Sequence, residues 1–263
     1  MTYIFIVLIL IVLVGFSLRF NWWRIAREGV PVLMYHSIDN SAAEKEKLKV
    51  SPKDFEKQLK YLRGKGYKSI TLQDLKQYIE GKKIFEYKPV VITFDDGYRN
   101  NIKNASPILR KYGFSAVFFI AAVYIGGESL WDAAEENDAK SMMDWDEIKT
   151  LVKDGFEIAS HTVTHADLVK IDKGFLLKEL TESKKMLEGE LNIKINAVSY
   201  PYGHYNNEVI KAVKLAGYEM GIATLHGLNR KGENPFVIKR VLIRGYDCWF
   251  DFLLNITRGR SHI

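Results

Sequence analysis

Pro89-Val90-Val91-Ile92-Thr93-Phe94-Asp95-Asp96-Gly97-Tyr98 is the stretch on which the rest of the chain turns. Its first residues are β-branched and aromatic with few polar interruptions, the composition of a strand buried on both faces. Gly97 breaks the run, so Asp95 and Asp96 stand where the strand gives way to a turn. In an α/β barrel the ends of the strands on that side form the catalytic face. Two adjacent carboxylates repel each other and are costly to bury unless a cation or a proton separates their roles. A metal ion held by one, with the other left free as a base, resolves that conflict. A polar turn with a capping Asp is the structural alternative, and the stretch alone fits both.

The 263 residues suit one large α/β domain better than two small ones. A hydrophobic content of 47%, with 13% aromatic residues, supplies an ample core and excludes a disordered chain. Cys248 is the sole cysteine, which excludes an internal disulfide framework and a cysteine-based metal site. The formal charge of +6 does not point to nucleic acid. Its lysines are spread along helical stretches such as residues 53–65 and 178–185, mixed with Glu, with no basic block interleaved with aromatics.

Residues 3–18 are apolar apart from Ser17 and carry no charge. The run is short beside the roughly 17–25 residues of a spanning helix, although Phe20, Trp22 and Trp23 extend it as an aromatic belt. It lacks the basic n-region and small-residue cleavage site of a secretory signal, the rival explanation. The expectation is an uncleaved single-pass membrane anchor over residues 1–23, followed by a catalytic domain over 24–263. Arg19, Arg24 and Arg27 follow the apolar run, and by the positive-inside rule they would keep that domain in the cytoplasm.

Beyond the N-terminus, strand-like and helix-like segments alternate. Strands are predicted over 30–35, 68–71, the run ending at Asp95, 116–120, 156–160, 197–200, 219–223 and 237–243. Helices are predicted over 51–64, 72–79, 101–112, 145–153, 175–191, 207–216 and 249–256. Repeated β-then-α units with Gly at helix ends imply a parallel sheet, and so many units favour a barrel. Residues 123–143 show no clear periodicity and read as a lid or substrate wall, or as a plain surface loop.

Two further motifs carry chemistry. In His161-Thr162-Val163-Thr164-His165 the histidines lie four apart just after a predicted strand. A helical turn there would set both imidazoles on one face. With Asp96 they offer two imidazoles and a carboxylate, three ligands with an open position for water. That set suits hydrolytic Zn²⁺ and also the facial triad of an Fe(II) oxygenase, which is usually built on an all-β scaffold. Ser199-Tyr200-Pro201-Tyr202-Gly203-His204 also ends a strand. Pro fixes the backbone and Gly lets the turn tighten, so an N–H there can serve as an oxyanion donor; taken alone it is an ordinary turn.

Taken in order, these three motifs resemble those of the polysaccharide deacetylase family, also called the NodB-homology or carbohydrate esterase 4 group. The resemblance spans residues 30–256. It implies a distorted (β/α) barrel and metal-dependent removal of N- or O-acetyl groups from sugars. On this resemblance Asp95 is the catalytic base, Asp96, His161 and His165 are the metal ligands, and the Tyr202 backbone N–H binds the oxyanion. The ion is a divalent metal, Zn first, with Co, Ni, Mn or Fe as alternatives.

Two departures refine it. The family commonly carries Arg two residues before the Pro of its third motif, and here that position is Ser199. Its late Leu-x-His motif has no match, since Leu225-His226 lacks the middle residue. Both departures are shared by the branch resembling deacetylases of poly-β-1,6-N-acetylglucosamine. There a His after the first strand supplies the general acid, and His36 in Met34-Tyr35-His36 fits that place. Arg240 on the last strand is then a candidate orienter of Asp95, or a structural ion pair. Pro201, Tyr124, Trp131 and Arg240 complete the candidate substrate-binding set, with Tyr124 and Trp131 placed for stacking on a sugar.

The implied function is N-deacetylation of N-acetylhexosamine units in a polysaccharide, with the domain outside the cell membrane, where the family's substrates usually lie; three arginines beside one short segment are a modest bias that a folded exported domain can override. A silent polysaccharide-binding barrel, and an amidase on a lipid-linked sugar or non-sugar C–N bond, are the alternatives.

Overall fold

The run ending at Asp95 forms β5 (Lys88–Phe94), the strand around which the sheet is organised. The computed structural model describes residues 2–20, 28–40, 47–129, 131 and 140–259. Along one side of β5 lies β1 (Val32–Tyr35), paired from Val32↔Val91 to Tyr35↔Phe94. On the other side the order continues through β6 (Val117–Ile120), β7 (Glu157–Ser160), β8 (Ala197–Ser199) and β9 (Met220–Ile222). A short β4 (Tyr67–Ser69) pairs with the first half of β5, and β10 (Val241–Leu242) pairs with β1. Every one of these ladders is parallel, as βαβ crossovers require.

The two edges of the sheet meet through one segment. Ile238 N–H donates to Gly221 O at 3.0 Å, Ala223 N–H to Ile238 O at 2.9 Å, and Arg240 N–H to Leu225 O at 2.8 Å. Val241 then pairs with Leu33. The chain thus passes from β9 to β1 within a few residues and curls the sheet into a distorted, incompletely closed barrel. This change of partner shortens the strand predicted over 237–243 to β10. A two-residue parallel pair, β2 (Ser37–Ile38) with β3 (Lys49–Val50), was not legible in the sequence.

The helices start where the chain supplies caps. Ser51 accepts from Asp54 N–H at 3.0 Å ahead of Pro52, opening the helix Pro52–Gly64. Thr71 does the same for Leu72–Ile79, and Asp144 with Glu147 forms a capping box for Trp145–Lys153. Side chains alternate across the strands with period two. Leu33, Ile92, Phe94, Phe118 and Val198 pack outward with the helices, while Val32, Val91, Val117, Phe119, Ala159 and Met220 pack on the inner side. Thr93 and Asp95 continue the inner register of Val91.

Residues 122–129 and 140–143 are tied to the site. A 3₁₀ turn (Ala122–Tyr124) is followed by antiparallel bridges Glu128↔Ser141 and Tyr98↔Met142, and Met143 N–H donates to Gly97 O at 3.0 Å. Residues 130 and 132–139 lie outside the described residues.

The spanning anchor expected over residues 1–23 is not shown. Thr2–Phe20 is helical, but among the described residues no helix is long and apolar enough to cross a membrane. Trp22, Trp23, Arg24 and Arg27 lie outside the described residues.

Candidate active site

The ends of β1, β5, β7 and β8 surround a cavity of about 370 Å³, within the range of small-ligand sites. Its wall includes His36, Asp95, Asp96, Trp131, His161, His165, Tyr202 and Gly203. Of the residues expected in the site, Pro201, Tyr124 and Arg240 do not line it.

Arg240 lies behind Asp95, with no solvent exposure. Its Nη1 donates to Asp95 Oδ1 at 2.6 Å and its Nη2 to Asp95 Oδ2 at 2.7 Å, a bidentate fork. The remaining donors reach Ala223 O at 2.9 Å, Ser199 Oγ at 2.9 Å and Thr93 Oγ1 at 3.4 Å. Ser199 Oγ in turn donates to Asp95 Oδ2 at 3.3 Å. The serine at the departed motif position is therefore part of the Asp95 cradle, a role its short side chain gave no reason to expect. Burial alone would raise the Asp95 carboxyl, but Arg240 and the neighbouring imidazoles hold it below the usual carboxylate range.

Asp96 Oδ1 faces His161 Nε2 at 3.3 Å and His165 Nε2 at 3.5 Å. All three side chains are buried, and one ligand atom from each lies within 4.8 Å of the others. His161 Nδ1 lies 2.9 Å from the Ser199 carbonyl, which can only accept, so Nδ1 carries the proton. A neutral His161 then turns the Nε2 lone pair toward a carboxylate oxygen. Two acceptors at that separation require a proton or a cation between them, so the three side chains fit a metal ion with its usual carbonyl-anchored imidazole. Burial pushes His161 down, but the hydrogen bond to Asp96 and the charge of both carboxylates hold it above the ordinary imidazole value. Burial and the charge on His161 push His165 down to about 4. Burial raises Asp96 less than the surrounding imidazoles lower it, leaving it below the carboxylate range.

The histidines do not converge on a helical face. Thr162 has φ +66° and His165 φ +58°, and no helix covers the segment. The turn is held by Glu179, buried on the helix Lys173–Leu191. One of its oxygens accepts Val163 N–H and Thr164 N–H, each at 2.9 Å, and the other accepts Thr164 Oγ at 2.8 Å. Sequence reasoning missed Glu179. The signal was present, because it shares a helix face with Leu176, Leu180, Ser183 and Leu187. Backbone strain gathers here as well. Asp96 (φ +75°) and Tyr202 (φ +57°) are left-handed, and among the described non-glycine residues only the helix cap Asn192 adopts positive φ away from these turns.

At Gly203, φ is +74° and a Cβ would run into Thr224, so the Tyr202 turn needs glycine there. His36 is half-buried on the cavity wall, and its Nδ1 is buried without a hydrogen-bond partner. Asn101 fixes the backbone on either side of it, donating to His36 O at 2.6 Å and accepting Ile38 N–H at 3.0 Å. Burial holds His36 below the ordinary imidazole value. Trp131 stacks on His165 at 4.4 Å and 25°, and Tyr124 meets Trp131 edge-on at 4.8 Å. Tyr124 thus supports Trp131 from outside the cavity.

Residues 82–221 match the polysaccharide deacetylase family. The chain is 32% identical to YxkH of Bacillus subtilis over 214 residues, covering 81% of this chain and 71% of that protein. It is 29% identical over 225 residues to the poly-β-1,6-N-acetyl-D-glucosamine N-deacetylase of Staphylococcus aureus, covering 82% and 74% respectively. The polysaccharide deacetylase BC0361 of Bacillus cereus superposes with a TM-score of 0.73 at 31% identity, over 88% of this chain and 69% of that one.

Proposed function

The chain belongs to the polysaccharide deacetylase family, hydrolases acting on carbon–nitrogen bonds, and on that premise we propose that it removes N-acetyl groups from N-acetylhexosamine units of poly-N-acetylglucosamine or a related glycan, with a bound divalent metal. The observation that carries this is one cavity holding both an ionised, arginine-clamped carboxylate and a three-ligand site beside it.

Asp96, His161 and His165 would hold the ion. Bound there, it would supply Lewis acidity and lower the pKa of a ligated water. Zn²⁺ fits the two-imidazole, one-carboxylate set, and Co, Ni, Mn or Fe are alternatives. Asp95, kept ionised by Arg240, takes the proton from the attacking water. The Tyr202 N–H donates to the oxyanion that develops on the acetamide oxygen. His36 protonates the departing amine nitrogen. Because burial keeps His36 neutral at rest near pH 7, it works as a relay, receiving the proton that Asp95 removed. Water and acetamide thus become acetate and a free amine. Trp131, ordered by its stack on His165, is the candidate platform for the sugar ring.

The test is acetate release from β-1,6- and β-1,4-linked N-acetylglucosamine oligomers, with and without chelator. Chelator-sensitive release is expected, and the faster oligomer assigns the linkage. No release from either, with metal verified in the protein, would move the reading to a lipid-linked or non-sugar amide.

We further place the catalytic domain on the outer side of the cytoplasmic membrane, retained by the apolar N-terminal segment. The exposed side chains from Ile4 to Val14 support association with an apolar phase. Protease added to cells stripped of their wall should degrade the domain; full protection would overturn this placement.

A further inference from the structure

The chemistry above uses Arg240 and leaves a second arginine without a task. Arg244 lines the same cavity as the carboxylates and histidines, its side chain only 17% exposed. Its Nε is buried without a hydrogen-bond partner. Its guanidinium stands 3.9 Å from Asp247 and 5.9 Å from the centre of the Tyr246 ring. The first distance is too long for a hydrogen bond. A guanidinium carries five N–H donors, and buried donors are ordinarily satisfied. Arg240, four residues earlier, places its donors on protein acceptors; among the described residues the Arg244 side chain has no acceptor that close.

Lys47 adds a second cation to the wall. Gly245 N–H donates to the Lys47 carbonyl at 3.2 Å, so the loops bearing the two cations run side by side. Among the described residues no carboxylate pairs with Lys47 Nζ. The carboxylates that share the cavity are already engaged, Asp95 by Arg240 and Asp96 by the two histidines. Asp247 offsets the Arg244 charge only in part, across a gap that leaves the fork unfilled. Among the described residues, this side of the cavity therefore presents two cations, Arg244 and Lys47, and guanidinium N–H donors without a close acceptor to whatever lies against the reacting centre.

We propose that Arg244 and Lys47 form a subsite for an anionic substituent of the glycan, a carboxylate or phosphate carried on or next to the residue being deacetylated. The inference rests on the deacetylase reading of the cavity and narrows its substrate to acidic glycans. A guanidinium meets either oxyanion through paired N–H donors, and the ammonium adds a flexible second contact.

The experiment compares kcat/KM on N-acetylhexosamine oligomers of equal length that are neutral, carry a lactyl carboxylate, or carry a phosphate monoester. The charged oligomers should exceed the neutral one by about tenfold or more at low salt, the scale of one charge-assisted hydrogen-bond pair. The ratio should shrink as NaCl is added, because the subsite opens to solvent. The larger of the two charged arms identifies the anion. Arg244→Gln should bring the charged-to-neutral ratio close to one, and Lys47→Gln, at an exposed position, should lower it in part. A wild-type ratio of one or less, or an Arg244→Gln protein that loses equally on all three oligomers, overturns the proposal. Equilibrium binding of the same oligomers to Asp95→Asn separates this from the reading it rests on. Tighter binding of charged oligomers without turnover by the wild type would keep the subsite and reject the deacetylase. Equal binding of all three would reject the subsite.

Discussion

Asp95 and Glu157 are carboxylates held at opposite ends of the same sheet, and their surroundings drive them in opposite directions. Asp95 follows the last residue of β5, and both its oxygens are clamped by Arg240. Glu157 is the first residue of β7. Its two oxygens share one donor, Leu72 N–H, at 3.2 and 3.3 Å. Burial, with Asp74 adding repulsion, raises Glu157 to about 7, whereas Arg240 and the imidazoles hold Asp95 below its usual value. Burial raises the cost of charge at both ends; the partner decides which protonation state survives. One end of the barrel therefore favours the ionised form of its carboxylate, and the other shifts its carboxyl toward the protonated form.

The largest effect should come from neutralising Asp95, the proposed base. Asp95→Asn should lower kcat/KM by about 10³-fold, within the range for a general base, while metal content stays at the wild-type level. Retention of a tenth of the activity would break the contrast, because Asp95 would then be another structural carboxylate. Arg240→Met tests what separates the two ends. It leaves a buried carboxylate unpaired, which costs about 3–5 kcal/mol of stability. Losing the cation also lets burial raise Asp95, so the acid limb of kcat/KM should move to higher pH. Arg240→Lys should not restore it, since an ammonium cannot fork to both oxygens. An unmoved acid limb with lowered stability would reduce Arg240 to a structural ion pair.

Glu179 is a buried carboxylate of another kind, spent wholly on the turn that carries the histidines. Glu179→Ala should weaken metal binding by about 10- to 100-fold, the usual cost of an outer-shell contact. Glu179→Gln keeps an acceptor for Val163 and Thr164 N–H and should recover most of the loss. Equal metal affinity in wild type and Glu179→Ala, measured by competition with a chelator, would detach the helix from the site.

These carboxylates also mark what was legible in the sequence. Asp95, Asp96, His161 and His165 were readable because their signals are local: a strand, a break, then functional side chains within a few residues. The helix Leu72–Ile79 was read to its ends because Thr71 and its apolar spacing both lie in the segment. The non-local parts were harder. The Arg240–Asp95 pair joins residues 145 positions apart, and in the sequence Arg240 was a candidate without geometry. Ser199 read as a missing arginine, although it belongs to the cradle that Arg240 completes. The helical turn that would have put the histidines on one face does not form; Glu179, on a later helix, captures the Val163 and Thr164 N–H groups instead. Arg244 and Lys47 carried no signal, since only folding of the loops puts them on one wall.

The smallest effect sharpens the contrast from the lower end. The Glu157 acid is raised from an ordinary carboxylate value near 4.5 to about 7 in the folded protein. Between those values the folded state binds more protons than the unfolded state, so stability falls as pH rises through that window and levels off above it. The loss is at most about 3 kcal/mol and shrinks to the extent that water reaches the carboxylate. Glu157→Gln keeps an oxygen for Leu72 N–H but cannot ionise. Urea unfolding should therefore give matching stabilities for wild type and variant near pH 4.5, with the variant more stable at pH 8. Parallel stability curves across that range would show that Glu157 ionises freely, and that a half-buried carboxylate at this end of the barrel needs no cation.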